Sequence, residues 1–247
     1  MSTYRLVSYA GNAEDVVLMR AFADRPGGTF VDVGAGEPVR GSLTKNLVDR
    51  LGWRGVNIEP LPERHGRLRT ARPHDVNLQV AVGTKPGVAT FFRIVPGAER
   101  ADEAGLSTLD ADMRDRHHRA GYVSEELTVE VVTLESILRD HATVGFELLK
   151  VDVEGREAEV LASADLRHWR PRAIVVEATV PLSAEPSHQA WEPMVLAAGY
   201  RLALFDGLNR FYAHDDEPEL LRRLSVPANT LDRYIPLACA IRAGIKI

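Results

Sequence analysis

The pattern of apolar and polar positions alternates along the chain between short apolar runs and spacing of three to four residues. This alternation predicts strands and helices that follow one another. Short continuous apolar runs are typical of strands buried on both faces of a sheet. Such runs, several of them interrupted by single polar residues such as Asp32, lie at residues 29–33, 53–58, 76–82, 146–151 and 173–176, with weaker strand patterns at 88–95 and 127–132. Apolar residues at helical spacing predict helices at 12–24, 43–51, 134–141 and 188–198, and residues 62–70 are predicted to form a charged surface helix. The alternation indicates an α/β fold with a mostly parallel sheet.

Two further stretches depart from this alternation. Residues 200–205 and 210–213 flank Asp206-Gly207-Leu208-Asn209, which has the composition of a hairpin turn. We expect this hairpin to add one antiparallel strand at the edge of the sheet. Residues 96–121 are polar with weak periodicity, which is typical of a lid or a substrate loop. We expect His117 and His118 in that stretch to be solvated.

Composition narrows the class of protein. The formal net charge of -5 argues against a nucleic-acid partner, and we interpret the basic cluster Arg64, Arg67, Arg69 and Arg72 as a solvated helix face. Cys239 is the single cysteine, which excludes an intrachain disulfide or a cysteine-based zinc site. The sequence has neither an apolar signal region at its start nor an apolar run long enough to span a membrane. We therefore expect a soluble, cytoplasmic protein.

The strand at residues 29–33 leads directly into the turn Gly34-Ala35-Gly36, a usual ligand position in open α/β sheets. A dinucleotide-binding loop has a third glycine or alanine, and Val39 occupies that position here. A ligand that carries a ribose and an adenine but no phosphate does not need this third residue, and S-adenosylmethionine is such a ligand. Glu59 ends the next strand, close to the spacing of about 20 residues expected for an acid that binds ribose hydroxyls.

Asp32, just before the turn, is a candidate to accept from the ammonium group of a methionine moiety, directly or through water. The alternative for Asp32 is a structural role in holding loop amides. For Glu59 the alternative is a solvated strand end.

Several motifs in a fixed order carry a resemblance to a known family. They are Phe30-Val-Asp-Val-Gly-Ala-Gly-Glu-Pro38, Ser42-Leu-Thr-Lys45, Gly52-Trp-Arg-Gly-Val-Asn-Ile-Glu-Pro60, Ala81-Val-Gly83, Gly105-Leu-Ser-Thr-Leu109, Leu149-Lys-Val-Asp-Val-Glu-Gly155 and Val175-Val-Glu177, preceded by Ser8-Tyr-Ala-Gly-Asn12 and Glu14-Asp15. Over residues 8–213 the chain resembles the FkbM family of S-adenosylmethionine-dependent methyltransferases.

The resemblance implies a class I methyltransferase fold, with a seven-stranded, mostly parallel sheet and a C-terminal antiparallel hairpin strand. It divides the chain into a helical lead-in (1–28), a catalytic domain (29–215) and a C-terminal helix and tail (216–247). It implies O-methylation of a hydroxyl on a sugar, a glycan, or a glycosylated or polyketide natural product. A monomer and a homodimer are both open alternatives.

Together, the loop chemistry and the resemblance assign a set of donor-binding residues. They are Asp32, Gly34, Ala35, Gly36, Ser42, Glu59, Pro60, Ala81, Ser107 and Asp152. Two other functions stay open at this point. A nicotinamide-dependent sugar oxidoreductase is one, although the sequence lacks its usual Tyr-x-x-x-Lys pair. A cofactor-binding adaptor without turnover is the other.

An alcohol acceptor must lose its proton, by a general base or with the help of a divalent cation. Asp152, Glu154 and Glu177 follow two apolar strands and would suit Mg²⁺. The alternatives are that Glu154 caps the next helix and that Glu177 pairs with an arginine. His188 is the candidate base, Asp152 is the second catalytic candidate, and Trp191 is expected to pack on a sugar face.

Overall fold

The computed structural model describes residues 5–95 and 105–245. Its strands are β1 (Leu6–Ser8), β2 (Thr29–Val33), β3 (Arg54–Ile58), β4 (Val76–Leu78), β5 (Ala81–Val82), β6 (Gly87–Val95), β7 (Val123–Val132), β8 (Leu148–Val151), β9 (Ala173–Glu177), β10 (Tyr200–Phe205), β11 (Asn209–His214) and β12 (Tyr234–Pro236). Its helices are α1 (Glu14–Ala21), α2 (Lys45–Leu51), α3 (Pro62–Ala71), α4 (Ala111–Arg119), α5 (Leu134–His141), α6 (Glu157–Ala162), α7 (Leu166–Trp169), α8 (Glu192–Ala197), α9 (Pro218–Leu224) and α10 (Leu237–Arg242).

Among the described residues, seven strands form one sheet in the order β10-β11-β9-β8-β2-β3-β4. The β2–β3, β2–β8, β3–β4 and β8–β9 pairs are parallel, and only β11 runs antiparallel to its neighbours β9 and β10. This confirms the predicted α/β class I methyltransferase fold. One detail was wrong, because the antiparallel strand lies inside the sheet and β10 forms the edge.

Both faces of this sheet are covered, which explains its continuous apolar runs. Val31, Val33 and Leu149 belong to one core cluster with residues of α5, α6 and α8. Phe30 and Leu148 belong to the other, with residues of α1, α2 and α9. Because successive side chains of a strand point to opposite faces, two covered faces require apolar residues at every position.

A second sheet in the order β5-β7-β6 corrects the prediction of one strand over residues 76–82. Only β4 joins the main sheet, whereas Ala81 and Val82 pair with Val131 and Val132 of β7. The stretch 96–121 is also more ordered than predicted, since Asp110 caps α4 by accepting from the amide of Met113 at 3.0 Å. Residues 96–104 of that stretch lie outside the described residues.

Helix boundaries differ from the prediction at two further places. The helix α2 begins at Lys45 rather than at residue 43, with Thr44 as its N-cap residue, and the Ser42 hydroxyl accepts from Arg72. The predicted helix 188–198 is a single 3-10 turn followed by the short α8, which begins only after the Trp191 N-cap.

The lead-in and the tail contact each other and the main sheet. Strand β1 pairs in parallel with β12, and Val17 and Phe22 of α1 share a core cluster with Leu220 of α9. Trp53 is fully buried in the same cluster, where its ring meets Phe22 edge to face. None of the described helices has the length and hydropathy of a membrane span.

Candidate active site

A cavity of about 310 Å³ opens at the carboxyl ends of β2, β3 and β8, which is the usual ligand position in an open α/β sheet. Its volume lies at the lower end of the range of about 300 to 1,000 Å³ for small-molecule sites. Of the predicted donor residues, nine line it: Asp32, Gly34, Ala35, Gly36, Glu59, Pro60, Ala81, Ser107 and Asp152. The N-terminal segment and the β10–β11 turn complete the wall, through Ala10, Gly11, Glu14, Leu208 and Asn209.

The glycine turn lies against the ends of two neighbouring strands. The amides of Gly34 and Ala35 both donate to the carbonyl oxygen of Ile58 at 3.0 Å. Gly34 has φ +78°, and a Cβ atom there would lie 1.8 Å from the carbonyl oxygen of Asp152. Gly36 also has a positive φ, but a Cβ atom there would meet nothing within 4 Å. Gly34 therefore permits close packing between the turn and β8, whereas Gly36 leaves open space beside the turn.

Lys150 stands between the two acids at the ends of β2 and β8. Its Nζ donates to the carbonyl oxygen of Gly34 at 2.6 Å and lies 3.2 Å from Asp32 and 3.4 Å from Asp152. Burial opposes the charged form of Lys150, but the two carboxylates outweigh it, so the pKa of Lys150 is raised. Sequence reasoning missed this residue, although a lysine inside the apolar run 148–151 is itself a signal of a buried charge pair.

Glu59 holds the glycine turn and faces the cavity. Its two carboxylate oxygens accept from the amides of Gly36 at 3.0 Å and of Leu61 at 2.9 Å. Burial raises the pKa of Glu59, although the charge of Arg64 acts in the opposite direction. Each oxygen keeps a second lone pair, so holding loop amides and accepting from a ligand are compatible roles.

Arg72 corrects two predictions at once. Its guanidinium donates to Thr44 Oγ1 at 2.8 Å, to Ser42 Oγ at 2.7 Å and to the carbonyl oxygen of Pro38 at 3.1 Å. Ser42 therefore does not line the cavity and instead supports the segment after the glycine turn. Thr44 in turn donates to Asp32 at 3.3 Å, which links Arg72 to the site.

The interpretation of the whole basic cluster as a solvated face was also wrong. Arg72 and Arg64 are 5% and 9% exposed, and only Arg67 and Arg69 lie on the surface. Charge alone could not separate the two kinds of arginine, because the sequence does not say which face of α3 packs against the rest of the fold.

The structure brings the three acids predicted for a metal together. One carboxylate oxygen from each of Asp152, Glu154 and Glu177 lies within 4.8 Å of the others. The Oε2 atoms of Glu154 and Glu177 are buried and have no hydrogen-bond partner among the described residues. Burial and then the charge of Asp152 raise the pKa of both glutamates well above the usual value.

The alternatives for these acids are not observed. Glu157, rather than Glu154, accepts from the first amides of this segment, those of Val153 at 3.0 Å and Gly155 at 3.1 Å. Glu154 itself has φ +59°, an uncommon conformation for a residue with a side chain. Within residues 5–95 and 105–245, no arginine pairs with Glu177.

His188 and Trp191 do not line the cavity. The Nε2 atom of His188 lies 3.8 Å from Glu192, and burial lowers the pKa of His188, with the charge of Arg210 acting in the same direction. Trp191 is 1% exposed and contacts the Tyr212 ring edge to face at a centroid distance of 6.0 Å. The prediction that Trp191 packs on a sugar face was therefore wrong, and this geometry does not support His188 as the base.

Two histidines expected in solvent differ from each other. His117 is 1% exposed, neither ring nitrogen has a hydrogen-bond partner among the described residues, and burial lowers its pKa. His118 is exposed and its Nε2 contacts Ser124 Oγ at 2.7 Å. The prediction was wrong for His117, because α4 turns that side chain toward Tyr122.

The N-terminal segment contributes buried acids that hold other parts of the site in place. Asp15 accepts from Ser8 Oγ at 2.7 Å, from the Tyr9 amide at 2.8 Å and from Asn46 Nδ2 at 2.7 Å. Next to it, Glu14 accepts from Asn209 Nδ2 at 2.7 Å, which ties the β10–β11 turn to α1. Burial raises the pKa of Glu14 to about 7.

Comparison with known proteins agrees with the order of these motifs. The family model described as the methyltransferase FkbM domain matches residues 32–202. The chain belongs to this family. The resemblance seen in the sequence is thereby confirmed, and with it the presence of a methyltransferase domain.

Two individual relatives are more distant. A protein named methyltransferase sdnD from Sordaria araneosa is 38% identical over 74 residues, which cover 26% of this chain and 29% of that protein. A crystal structure of CalO1, a methyltransferase in calicheamicin biosynthesis in its SAH-bound form, is similar over 82% of this chain and 54% of that one, with 18% identity and a TM-score of 0.36. The chain thus spans well under two thirds of either relative.

Proposed function

We propose that this protein is an S-adenosylmethionine-dependent O-methyltransferase and that the cavity at the ends of β2, β3 and β8 holds the methyl donor. The observation that carries the proposal is the convergence of Asp32, Glu59 and Asp152 around one cavity of small-molecule size. All three belong to the segment that matches the methyltransferase family. S-adenosylmethionine brings a methyl group already activated on a sulfonium, so the chain has to supply alignment and exclusion of water.

The acids around the glycine turn would contact different groups of the methyl donor. Glu59 would accept from ribose hydroxyls through its remaining lone pairs. Asp152 has a side chain 35% exposed and would accept from the ammonium group, whereas Asp32 is 2% exposed and is held by Lys150. We assign Asp32 the role of positioning Lys150, and through it Asp152. Pro60 and Ala81 would supply apolar contact to the adenine end.

Removal of the acceptor proton falls to the cluster Asp152, Glu154 and Glu177. The buried Oε2 atoms of the two glutamates lack partners among the described residues, and oxygen ligands from carboxylates are what Mg²⁺ prefers. The set therefore fits a divalent cation, which would lower the pKa of a bound hydroxyl. In its absence a deprotonated glutamate of the cluster would take the proton. The acceptor class, a hydroxyl of a sugar, glycan or related natural product, comes from the family resemblance.

Binding of the donor can be tested by calorimetry with S-adenosylhomocysteine. We expect wild-type protein to bind it and Glu59→Gln to bind at least about tenfold more weakly, because one acceptor oxygen becomes an amide donor. Glu130→Gln, which changes an exposed glutamate on β7, is the matched control. Wild-type protein that binds NAD but not S-adenosylhomocysteine would overturn the proposal. Binding without turnover against any hydroxyl acceptor would favour the adaptor.

The metal assignment has its own test. Titration of Mg²⁺ into wild-type protein at pH 8.5 should give saturable binding, and Glu177→Gln should weaken it while Glu130→Gln should not. The pH is alkaline because burial and the charge of Asp152 raise the pKa of Glu154 and Glu177, and Mg²⁺ binds the deprotonated carboxylates. Equal Mg²⁺ binding by wild type and Glu177→Gln would remove Glu177 from the site.

A further inference from the structure

The cavity contains a buried arginine that the roles above do not use. Arg64, on the first turn of α3, lines the cavity and is only 9% exposed. The charge of Arg64 acts on Glu59 and Glu154, yet the described residues place no carboxylate or carbonyl oxygen in hydrogen-bond or ion-pair contact with it. A buried guanidinium without acceptors is costly, so its position calls for a ligand.

The other cations at the cavity wall differ from Arg64 in having partners. Lys150 is held by Asp32, Asp152 and the Gly34 carbonyl. Arg156 lies 3.6 Å from Asp110 and 3.3 Å from Glu159. Arg40 also has an interaction of its own. Among the described residues, Arg64 is therefore the cation at the cavity wall that has neither a hydrogen bond nor an ion pair within 4.0 Å.

We propose that Arg64 forms a carboxylate subsite inside the cavity. A guanidinium offers five donors in a planar fork and binds a carboxylate through two parallel hydrogen bonds. A ligand carboxylate needs such a partner in this cavity, because a wall rich in acids such as Glu14, Glu59 and Glu154 repels it. The inference rests on the proposed function, since the methyl donor itself carries one carboxylate. An acidic acceptor is the second source of the same group.

Two probes separate these sources. S-adenosylhomocysteine carries the amino-acid carboxylate, and 5'-methylthioadenosine has the same nucleoside without it. If the donor supplies the carboxylate, Arg64→Gln should weaken S-adenosylhomocysteine about 10- to 100-fold, the loss expected for a charged hydrogen-bonded pair, and leave methylthioadenosine unchanged. If an acceptor supplies it, D-glucuronate should bind more tightly than D-glucose, and Arg64→Gln should abolish only that preference.

Two further variants serve as controls. Arg69→Gln makes the same change at an exposed position of α3 and should behave as wild type with every probe. Arg64→Lys keeps the charge without the planar fork and should give an intermediate loss, with thermal melts confirming that each variant is folded.

The two proposals fail in different ways. Arg64→Gln with wild-type affinity for S-adenosylhomocysteine and with an unchanged preference between glucuronate and glucose would overturn the carboxylate subsite. Wild-type protein without affinity for S-adenosylhomocysteine would overturn the proposed function. The glucuronate arm, run on the protein alone, would then still decide the role of Arg64.

Discussion

Gly34 and Gly36 provide a matched pair for testing how the glycine turn is built. Both have a positive φ, of +78° and +63°, so alanine at either position carries the same kind of backbone strain. They differ in space, because a Cβ atom on Gly34 would lie 1.8 Å from the Asp152 carbonyl oxygen and a Cβ atom on Gly36 would meet nothing within 4 Å. The neighbour at Gly34 is backbone and cannot rotate away.

The two substitutions should therefore differ in stability. A left-handed conformation costs an alanine about 1 to 2 kcal/mol, and the smaller entropy of its unfolded chain offsets about 0.4 to 1 kcal/mol of that. We expect Gly36→Ala to lower the free energy of unfolding by about 1 kcal/mol. Gly34→Ala adds a clash that must separate the turn from β8, and overpacking of this kind costs a further 1 to 3 kcal/mol or more, about 3 kcal/mol in total.

Urea denaturation followed by circular dichroism measures both values on the same protein. Gly34→Ala should also displace Lys150, whose Nζ donates to the Gly34 carbonyl, and so weaken binding of S-adenosylhomocysteine. Equal losses of stability in the two variants would refute the reasoning, because backbone strain alone would then account for both. A larger loss in Gly36→Ala would refute it more strongly.

Two further predictions concern buried charges. Arg72→Met should lower the free energy of unfolding by about 3 to 5 kcal/mol, because it removes the cation paired with the buried Asp75 side chain and the donor to Thr44 and Ser42. Arg69→Met should change it by less than about 0.5 kcal/mol in the same urea titration. Burial raises the pKa of Glu157 from 4.5 to about 7, so the folded state binds the proton more tightly and stability falls as pH rises from about 4.5 through 7. Glu157→Gln keeps the acceptor for both amides and should flatten this part of the profile of melting temperature against pH.

The sheet and the glycine turn could be predicted because their signals are local. Mostly apolar runs gave β2, β3, β8 and β9 to within a residue or two, since a strand covered on both faces has few polar positions. The ends of parallel strands meet at one edge of a sheet, so Asp32, Glu59 and Asp152 could be placed around one site before any coordinates.

The remaining features depend on contacts between distant segments. Nothing local distinguishes Arg64 and Arg72 from the exposed Arg67 and Arg69, because their burial follows from the packing of α3 on the glycine turn. Ser42 was predicted to bind the donor, and its hydrogen bond with Arg72 could not be foreseen from the sequence because the two residues lie 30 positions apart. Trp191 begins a helix in sequence, but its ring fills the core beside Tyr212.

Burial raises the pKa of five glutamates in or beside the cavity, which are Glu14, Glu59, Glu154, Glu157 and Glu177. A stabilising ion pair would lower the pKa of a carboxyl group, so these acids lack sufficient positive charge in the folded chain. At the cavity wall, the charges of Lys150 and Arg64 lower the pKa of Glu59 and Glu154, but burial outweighs them. A sulfonium, an ammonium group and a divalent cation would each supply positive charge to these acids. Binding them would therefore stabilise the folded protein. The proposed donor binding and the proposed activation of the acceptor hydroxyl would therefore depend on the same shortage of positive charge, and Asp152 and Glu154 line the cavity together with the residues proposed to bind the donor.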